Sequence, residues 1–161
     1  MKLVITMSRR YGTGTKQIAE ILSERLDVPV YDRKSVENEL AKNIYKSEAD
    51  VIRHFAENPC IILGRAASEV LKDQRNAFHV YICADKEDRI KRIMHNDGLS
   101  YEEAKNEVEK TDRERSEYYH NLTGKAWGDV NNYHMILNTS DHGVENCAEI
   151  LLKYFERKEL I

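Results

Sequence analysis

The sequence predicts an α/β fold, a parallel sheet covered by helices on both faces. Three observations predict it. Short apolar runs alternate with segments of helical period, the pattern that gives parallel pairing. The runs at residues 3–7, 60–63 and 78–84 read as buried strands, and a parallel sheet must be covered on both faces. Polar, charged or Gly residues follow several runs directly: Ser8 and Arg9, Asp32, Gly64 and Arg65, Asn138 and Thr139. In open α/β sheets ligands bind beyond the carboxyl ends of the strands.

Each element has its own reason. Residues 3–7 are apolar and β-branched, and Gly12 and Gly14 then break the chain. Ile18, Ile21, Leu22 and Leu26 recur at helical spacing and predict a helix over 15–26. Pro29, Val30 and Tyr31 predict a short second strand ending at Asp32. Val36, Leu40 and Ile44 mark one helix; Val51, Ile52 and Phe55 mark another, stopped by Pro59. The strand at 60–63 ends in Gly64 and Arg65, and 66–71 reads as helical. After the strand at 78–84, Asp85 should cap a helix carrying Ile90, Ile93 and Met94 that stops near Gly98. Ser100 with Glu103 is a capping box, opening a long polar helix through residue 119 or so. "TGKAWGDVNNY" reads as a loop, 135–137 as the last strand, and 144–155 as a final amphipathic helix.

At 161 residues the chain fits one domain, and 41% apolar residues fit a packed core. The 25 basic and 28 acidic residues give a net charge of −3, with no overall pull toward a nucleic acid polymer or a membrane. Any phosphate ligand must therefore be held by local Arg and Lys. The opening "MKLVITMS" is too short an apolar run for a signal peptide, and no run approaches the ~20 residues of a membrane span. Three well-separated Cys read as reduced thiols, which places the chain in the cytoplasm. The six His show no metal spacing, and the sequence singles out no metal-ligating residue, so the ligands of any metal ion stay open. Oligomeric state stays open.

The stretch "VITMSRRYGTGTKQIAEIL" joins a strand, a Gly-rich turn and a helix start. Turn amides and the helix dipole together make an anion site. The pattern G-x-x-x-x-G-K-[ST] wants Lys directly after its last Gly, then a hydroxyl. Here Gly14 is followed by Thr15, and Lys16 comes one place late, before Gln17. If the glycines set the register, Thr15 takes the Lys slot and Lys16 the hydroxyl slot. If Lys16 sets it, both glycines come early. Curvature depends on the glycines and a Lys stem is flexible, so the first register is preferred. The plain alternative is an ordinary Gly turn before a helix.

With "PVYDRKSV", "PCIILGRAASEVLKD", "VYICADKEDRIKRIM", "KTDRERSEYYHNLTGKAWGD" and "LNTSDHGVENCAEILL", this stretch resembles the cytidylate kinase-like family of P-loop proteins, in order and over almost the whole chain. Members of that family tend to carry a displaced basic residue in the phosphate turn. The resemblance implies a P-loop nucleoside-triphosphate-hydrolase-type three-layer sandwich with a five-stranded parallel sheet. It implies a single domain over 1–161, a short acceptor-binding insert near 33–58 and a lid region near 100–130.

The resemblance also implies ligands and roles. ATP with Mg2+ would lie on Gly12, Thr13, Gly14, Thr15, Lys16 and Gln17, with Arg9 adding charge and Asn138 and Thr139 on the adenine side. A nucleoside monophosphate would lie between Asp32, Arg33 and Arg65. Arg65 matches the Arg of a family Gly-Arg-Asp, but Ala66 stands in the Asp slot. Asp112 matches the first Asp of the lid pattern R-D-x-x-D-x-x-R, with Arg113 and Arg115 beside it. Arg92 would sit near the phosphates at the lid base and, with Asp112, would contact the bound acceptor. Lys16, Arg65, Arg113 and Arg115 would stabilise the transferring phosphoryl group.

Bland readings stand beside these. Asp32 is an equally good N-cap, Arg65 a surface residue at a helix start, and Asn138 and Thr139 are good cappers. Arg89 reads as part of a solvated face with Glu87 and Asp88. Tyr118, Tyr119 and Trp127 are more often core or interface than base stackers. The function expected is ATP-dependent phosphoryl transfer to a nucleoside monophosphate, CMP or dCMP first. A nucleotide-binding regulatory module, favoured by the missing hydroxyl, and a kinase of a non-nucleotide small molecule are the alternatives.

Overall fold

A computed structural model describes residues 3–161. Met1 and Lys2, which open the segment read as lacking a signal peptide, lie outside the described residues. Five strands, β1 (Val4–Arg9), β2 (Val30–Tyr31), β3 (Cys60–Leu63), β4 (Ala77–Cys83) and β5 (Met135–Asn138), form one sheet in the order β2-β3-β1-β4-β5. Every pairing is parallel, with Val4 opposite both Cys60 and Ala77. The carboxyl ends of β1, β3 and β4 therefore emerge side by side.

Strand alternation assigns the two faces of the sheet. Ile5 and Met7, Ile61 and Leu63, and Phe78, Val80 and Ile82 point to one face. There they bury against α1 (Thr15–Leu26) and α8 (Val144–Arg157) through Ile18, Leu22, Leu151 and Phe155. Val4, Cys60, Ile62 and Ala77 point to the other. They meet Val36 of α2 (Arg33–Leu40), Val51, Ile52 and Phe55 of α3 (Glu48–Phe55), and Ala67 of α4 (Ala67–Val70). Helix α5 (Lys86–Asp97) packs on α6 (Tyr101–Thr123) through Ile90, Ile93, Ala104 and Val108. A short α7 (Thr139–His142) precedes α8.

Some expectations shift. The helix carrying Val36 stops at Leu40, and Ile44 is exposed in the following loop. The apolar spacing at 36, 40 and 44 therefore overran the element by one turn. Asp85 stands at the N-cap of α5 but makes no side-chain cap; its amide donates to Ser140 Oγ. The capping box of Ser100 and Glu103 forms, and α6 runs unbroken for 23 residues to a left-handed Gly124. Within the loop after it, Val130–Asn132 form one 3-10 turn. Among the described residues no helix is long and apolar enough to cross a membrane.

The second face also holds a buried imidazole. His79 is paired with Thr6 across β4 and β1, and Thr6 Oγ1 lies 2.8 Å from His79 Nδ1. Burial, and then the neighbouring His134, push the His79 pKa down from 6.5 to about 4. The folded chain thus keeps His79 neutral where the unfolded chain would protonate it. Between pH 6.5 and about 4 the unfolded state binds more protons, so stability rises with pH there and is complete above that window. A His79→Leu variant should lose less stability than the parent between pH 7 and 4.5, by roughly 2–3 kcal/mol in urea titrations. Equal losses in the two proteins would show that this imidazole does not set acid sensitivity.

Candidate active site

The first strand ends in a turn whose shape is set from outside itself. Five successive carbonyls each accept a side-chain hydrogen bond. Arg9 O takes Arg115 Nη1 (3.0 Å), Arg10 O takes Thr13 Oγ1 (3.0 Å), and Tyr11 O takes Arg89 Nη1 (3.2 Å). Gly12 O takes Arg92 Nε (3.0 Å) and Thr13 O takes Thr139 Oγ1 (2.8 Å). With the carbonyls tied back, the amides from Gly12 onward are left for a ligand, while those of Arg10 and Tyr11 donate to Ile82 O and Asp112. The helix adds its own: Gln17 and Ile18 donate to Gly14 O, while the amides of Thr15 and Lys16 have no intrahelical partner.

Both glycines of the turn are required by geometry. Gly12 has φ +82°, and a Cβ there would lie 2.8 Å from the Arg89 carbonyl oxygen. Gly14, the N-cap of α1, has φ +80°, and a Cβ would meet Val144 Cγ2 at 2.7 Å. Because α1 begins directly after Gly14, Thr15 stands in the Lys slot and Lys16 in the hydroxyl slot. Thr13 and Thr15 bury their hydroxyls against each other at 2.7 Å, so only their backbone faces outward.

Two cavities open at the carboxyl ends of the strands. One, of about 580 Å3, lies over the turn and is bordered by Arg10, Lys16, Gln17, Glu20 and Arg92. The other, of about 380 Å3, is bordered by Arg33, Arg65, Ala66, Glu114, Tyr118 and Trp127. Arg9 and Arg115 line both. The Arg9 guanidinium is pushed down to about 9 by burial and then by Arg115, with Asp32 opposing. Among the described residues it makes no hydrogen bond and no ion pair. A half-buried guanidinium with no partner among the described residues, beside a second one, is a site for an anion with several oxygens. Burial likewise lowers the Arg115 pKa, and its guanidinium lies over the Tyr11 ring at 5.3 Å.

Arg65 lies on the wall of the smaller cavity in a strained backbone: Arg65 and Ala66 have φ +56° and +54°. Its Nη2 bonds both oxygens of Glu48, at 2.8 and 2.9 Å, and the guanidinium stacks over Tyr118 at 4.1 Å. Tyr118 donates its hydroxyl to Glu48 Oε2 at 2.7 Å. The Tyr118 pKa rises to about 12, first from burial and then from that bond. Glu48 was not foreseen. Its one sequence signal is its place in the first turn of α3, which says nothing of a partner 17 residues on. Tyr118 and Tyr119 were read as core, and Tyr119 and Trp127 are buried, yet all three also line the cavity. The spacing of Thr111, Arg115, Tyr118 and Tyr119 puts them on one stripe of α6.

Several expected residues lie elsewhere. Asp112 does not reach the acceptor-side cavity: its carboxylate pairs with Arg89 at 2.6 Å and accepts from the Tyr11 amide at 2.8 Å. Arg89, read as solvated, is buried by that same pairing. Arg92 sits against the phosphate turn instead of the acceptor side. Arg113 is exposed and borders neither cavity, since it faces away from the stripe that carries Arg115. Asn138 caps α7 by accepting from the Ser140 amide, and Thr139 is buried beneath the turn; neither lines either of these two cavities. Asp32 caps α2, accepting from the Ser35 amide at 2.9 Å, and that bond is the main cause of its lowered pKa. Arg33 borders the smaller cavity while bonding Glu37. Lys16 and Gln17 are exposed on the rim of the larger one.

The donor set does not suit a protein-held magnesium ion, which takes oxygen ligands. The hydroxyl slot holds Lys16, and the nearby Thr13 and Thr15 hydroxyls are buried and engaged. Among the described residues no three acidic, His or Cys side chains converge on a common point.

Comparisons with known proteins agree with this architecture. The sequence profile of the cytidylate kinase-like family matches residues 4–43 and 34–141. A cytidylate kinase of Archaeoglobus fulgidus is 25% identical, covering 97% of this chain and 96% of its own. A crystal structure of an uncharacterized Eubacterium ventriosum protein superposes with a TM-score of 0.89 at 24% identity, over 98% of this chain and 99% of its own. The fold is shared with shikimate kinase from Acinetobacter baumannii, at a TM-score of 0.63 and 15% identity over 100% of this chain and 97% of that one. With a profile match spanning most of its length and a P-loop kinase fold, the chain belongs to the cytidylate kinase-like family.

Proposed function

We propose that the chain is an ATP-dependent kinase that phosphorylates a nucleoside monophosphate, CMP or dCMP first. The observation that carries this is the pair Arg9 and Arg115, which border both cavities. A triphosphate on the turn would put its terminal phosphoryl group beside them. An acceptor in the smaller cavity would put its phosphate on the same two guanidiniums, with Arg65 and Arg33 on the far side. An oxygen of the acceptor phosphate attacks the terminal phosphorus, the bond to the bridging oxygen breaks, and ADP leaves with the electron pair. Little covalent work falls to the protein. It positions the two groups and stabilises charge on the transferring oxygens, which is what shared, partly desolvated arginines supply. CMP is favoured by the full-length relatives named as cytidylate kinases. ATP follows from the same family.

A second reading keeps transfer and changes the acceptor. Ala66 offers no carboxylate to a pyrimidine edge, and Glu48 is already held by Arg65 and Tyr118. A small phosphorylated or hydroxylated non-nucleotide would fit the same arginines.

An ADP-release assay with ATP, over a range of magnesium concentrations, tests both readings against CMP, dCMP, UMP, AMP, GMP and simple alcohols. The expected result is turnover with CMP or dCMP above the rest. Turnover only with a non-nucleotide would select the second reading. ATP binding without turnover on any acceptor would leave a nucleotide-binding module.

A further inference from the structure

P-loop kinases commonly hold magnesium through a hydroxyl that follows the Lys at the helix start. Here the corresponding position is Lys16. The neighbouring hydroxyls cannot take over. Thr13 donates to the Arg10 carbonyl and pairs with Thr15 at 2.7 Å, and burial of both side chains keeps their oxygens beneath the turn. Asp32 offers one carboxylate, but it borders neither cavity, and its Oδ1 takes both the amide and the hydroxyl of Ser35. The charges of Lys16 and Arg9 already act on that carboxylate.

The charge balance points the same way. Among the described residues, Arg9, Arg10, Lys16, Arg92 and Arg115 border the larger cavity, against a single carboxylate, Glu20. A divalent cation bound beside that group is repelled by five cationic side chains, with Glu20 the one carboxylate on the cavity to offset them. A tetra-anionic triphosphate is attracted by the same field.

We propose that this cavity binds the metal-free form of a nucleoside triphosphate, with the Lys16 ammonium standing where a protein-held metal would otherwise sit. The inference rests on the reading of the turn as a triphosphate site and deepens it. Lys16 is exposed at the second position of α1, so its stem can swing the charge over the outer phosphates. Magnesium then competes for the triphosphate in solution instead of bridging it to the protein.

The test is equilibrium binding of a non-hydrolysable ATP analogue to the full chain, by calorimetry, once in EDTA and once in excess magnesium. Binding in EDTA should equal or exceed binding in magnesium. The Lys16→Thr variant restores a hydroxyl and removes the charge, so its affinity should become stronger in magnesium than in EDTA. Parent binding that tightens roughly tenfold or more on adding magnesium overturns the proposal alone. A Lys16→Thr protein with the parent's metal response overturns the role given to Lys16. Absence of binding in both buffers overturns the proposal together with the triphosphate reading beneath it.

Discussion

An Arg115→Met variant should keep its fold and lose on the order of a thousandfold in kcat with ATP and CMP. Arg115 is the one lid-region arginine that borders both cavities, and it reaches the site from α6 while bonding the Arg9 carbonyl. Charge that builds on the transferring oxygens would lie between it and Arg9. Methionine keeps the aliphatic stem against Tyr11 and removes only the charged fork. Arg115→Lys restores the charge without the planar pair of donors, and should recover part of the rate. Circular dichroism and a thermal melt establish that the variants are folded. A rise in KM at unchanged kcat would mean that Arg115 only binds substrate and does not act in the transition state. Arg113→Met, made in parallel, should leave kcat close to the parent, since that side chain borders neither cavity.

The second large effect is on stability. Asp112→Ala should cost about 3–5 kcal/mol, read by urea unfolding. The Arg89 and Asp112 side chains are only 9% and 13% exposed. Truncating the acid strands a buried guanidinium and leaves the Tyr11 amide without its acceptor. For a domain with a typical ~5–15 kcal/mol in hand, that loss approaches unfolding. Asp112→Asn keeps an acceptor for the amide and should fall between. A double change, Arg89→Met with Asp112→Leu, removes both charges and should recover much of the loss. Should Asp112→Ala unfold within about 1 kcal/mol of the parent, the ion pair is not what fastens α6 to the turn.

Much of this molecule could be read in advance. The strands, the helix after the turn and the capping box depend on local pattern, so Ile18, Leu22, Ser100 and Glu103 announce themselves. The glycine register was also legible, because positive φ at Gly12 and Gly14 is a backbone requirement that sequence spells directly. What escaped is pairing at a distance. Arg89 and Asp112 lie on two different helices, 23 positions apart, and nothing in "EDRIKRIM" says that one of its arginines turns inward. Asp112 carried the right residue type for a ligand and was drawn instead into a buried ion pair. Glu48 and Arg65 meet only because the sheet brings α3 beside the end of β3. Thr139 could be seen as a capper, but its burial under Thr13 depends on where β5 ends.

The tied-back carbonyls of the turn have a consequence for how such a site can be recognised and rebuilt. Four of the five donors come from residues 78 to 126 positions away. The cradle is thus a mould whose walls belong to α5, α6 and α7, and the glycine stretch is the material pressed into it. Spelling inside the stretch can drift, even to a late lysine, while the cast keeps its shape. A search keyed to the local string misses such sites; one keyed to the distant donors, Arg89, Arg92, Arg115 and Thr139, would find them. Transplanting the nine residues of "RRYGTGTKQ" into another scaffold would by the same logic carry the letters and leave the mould behind.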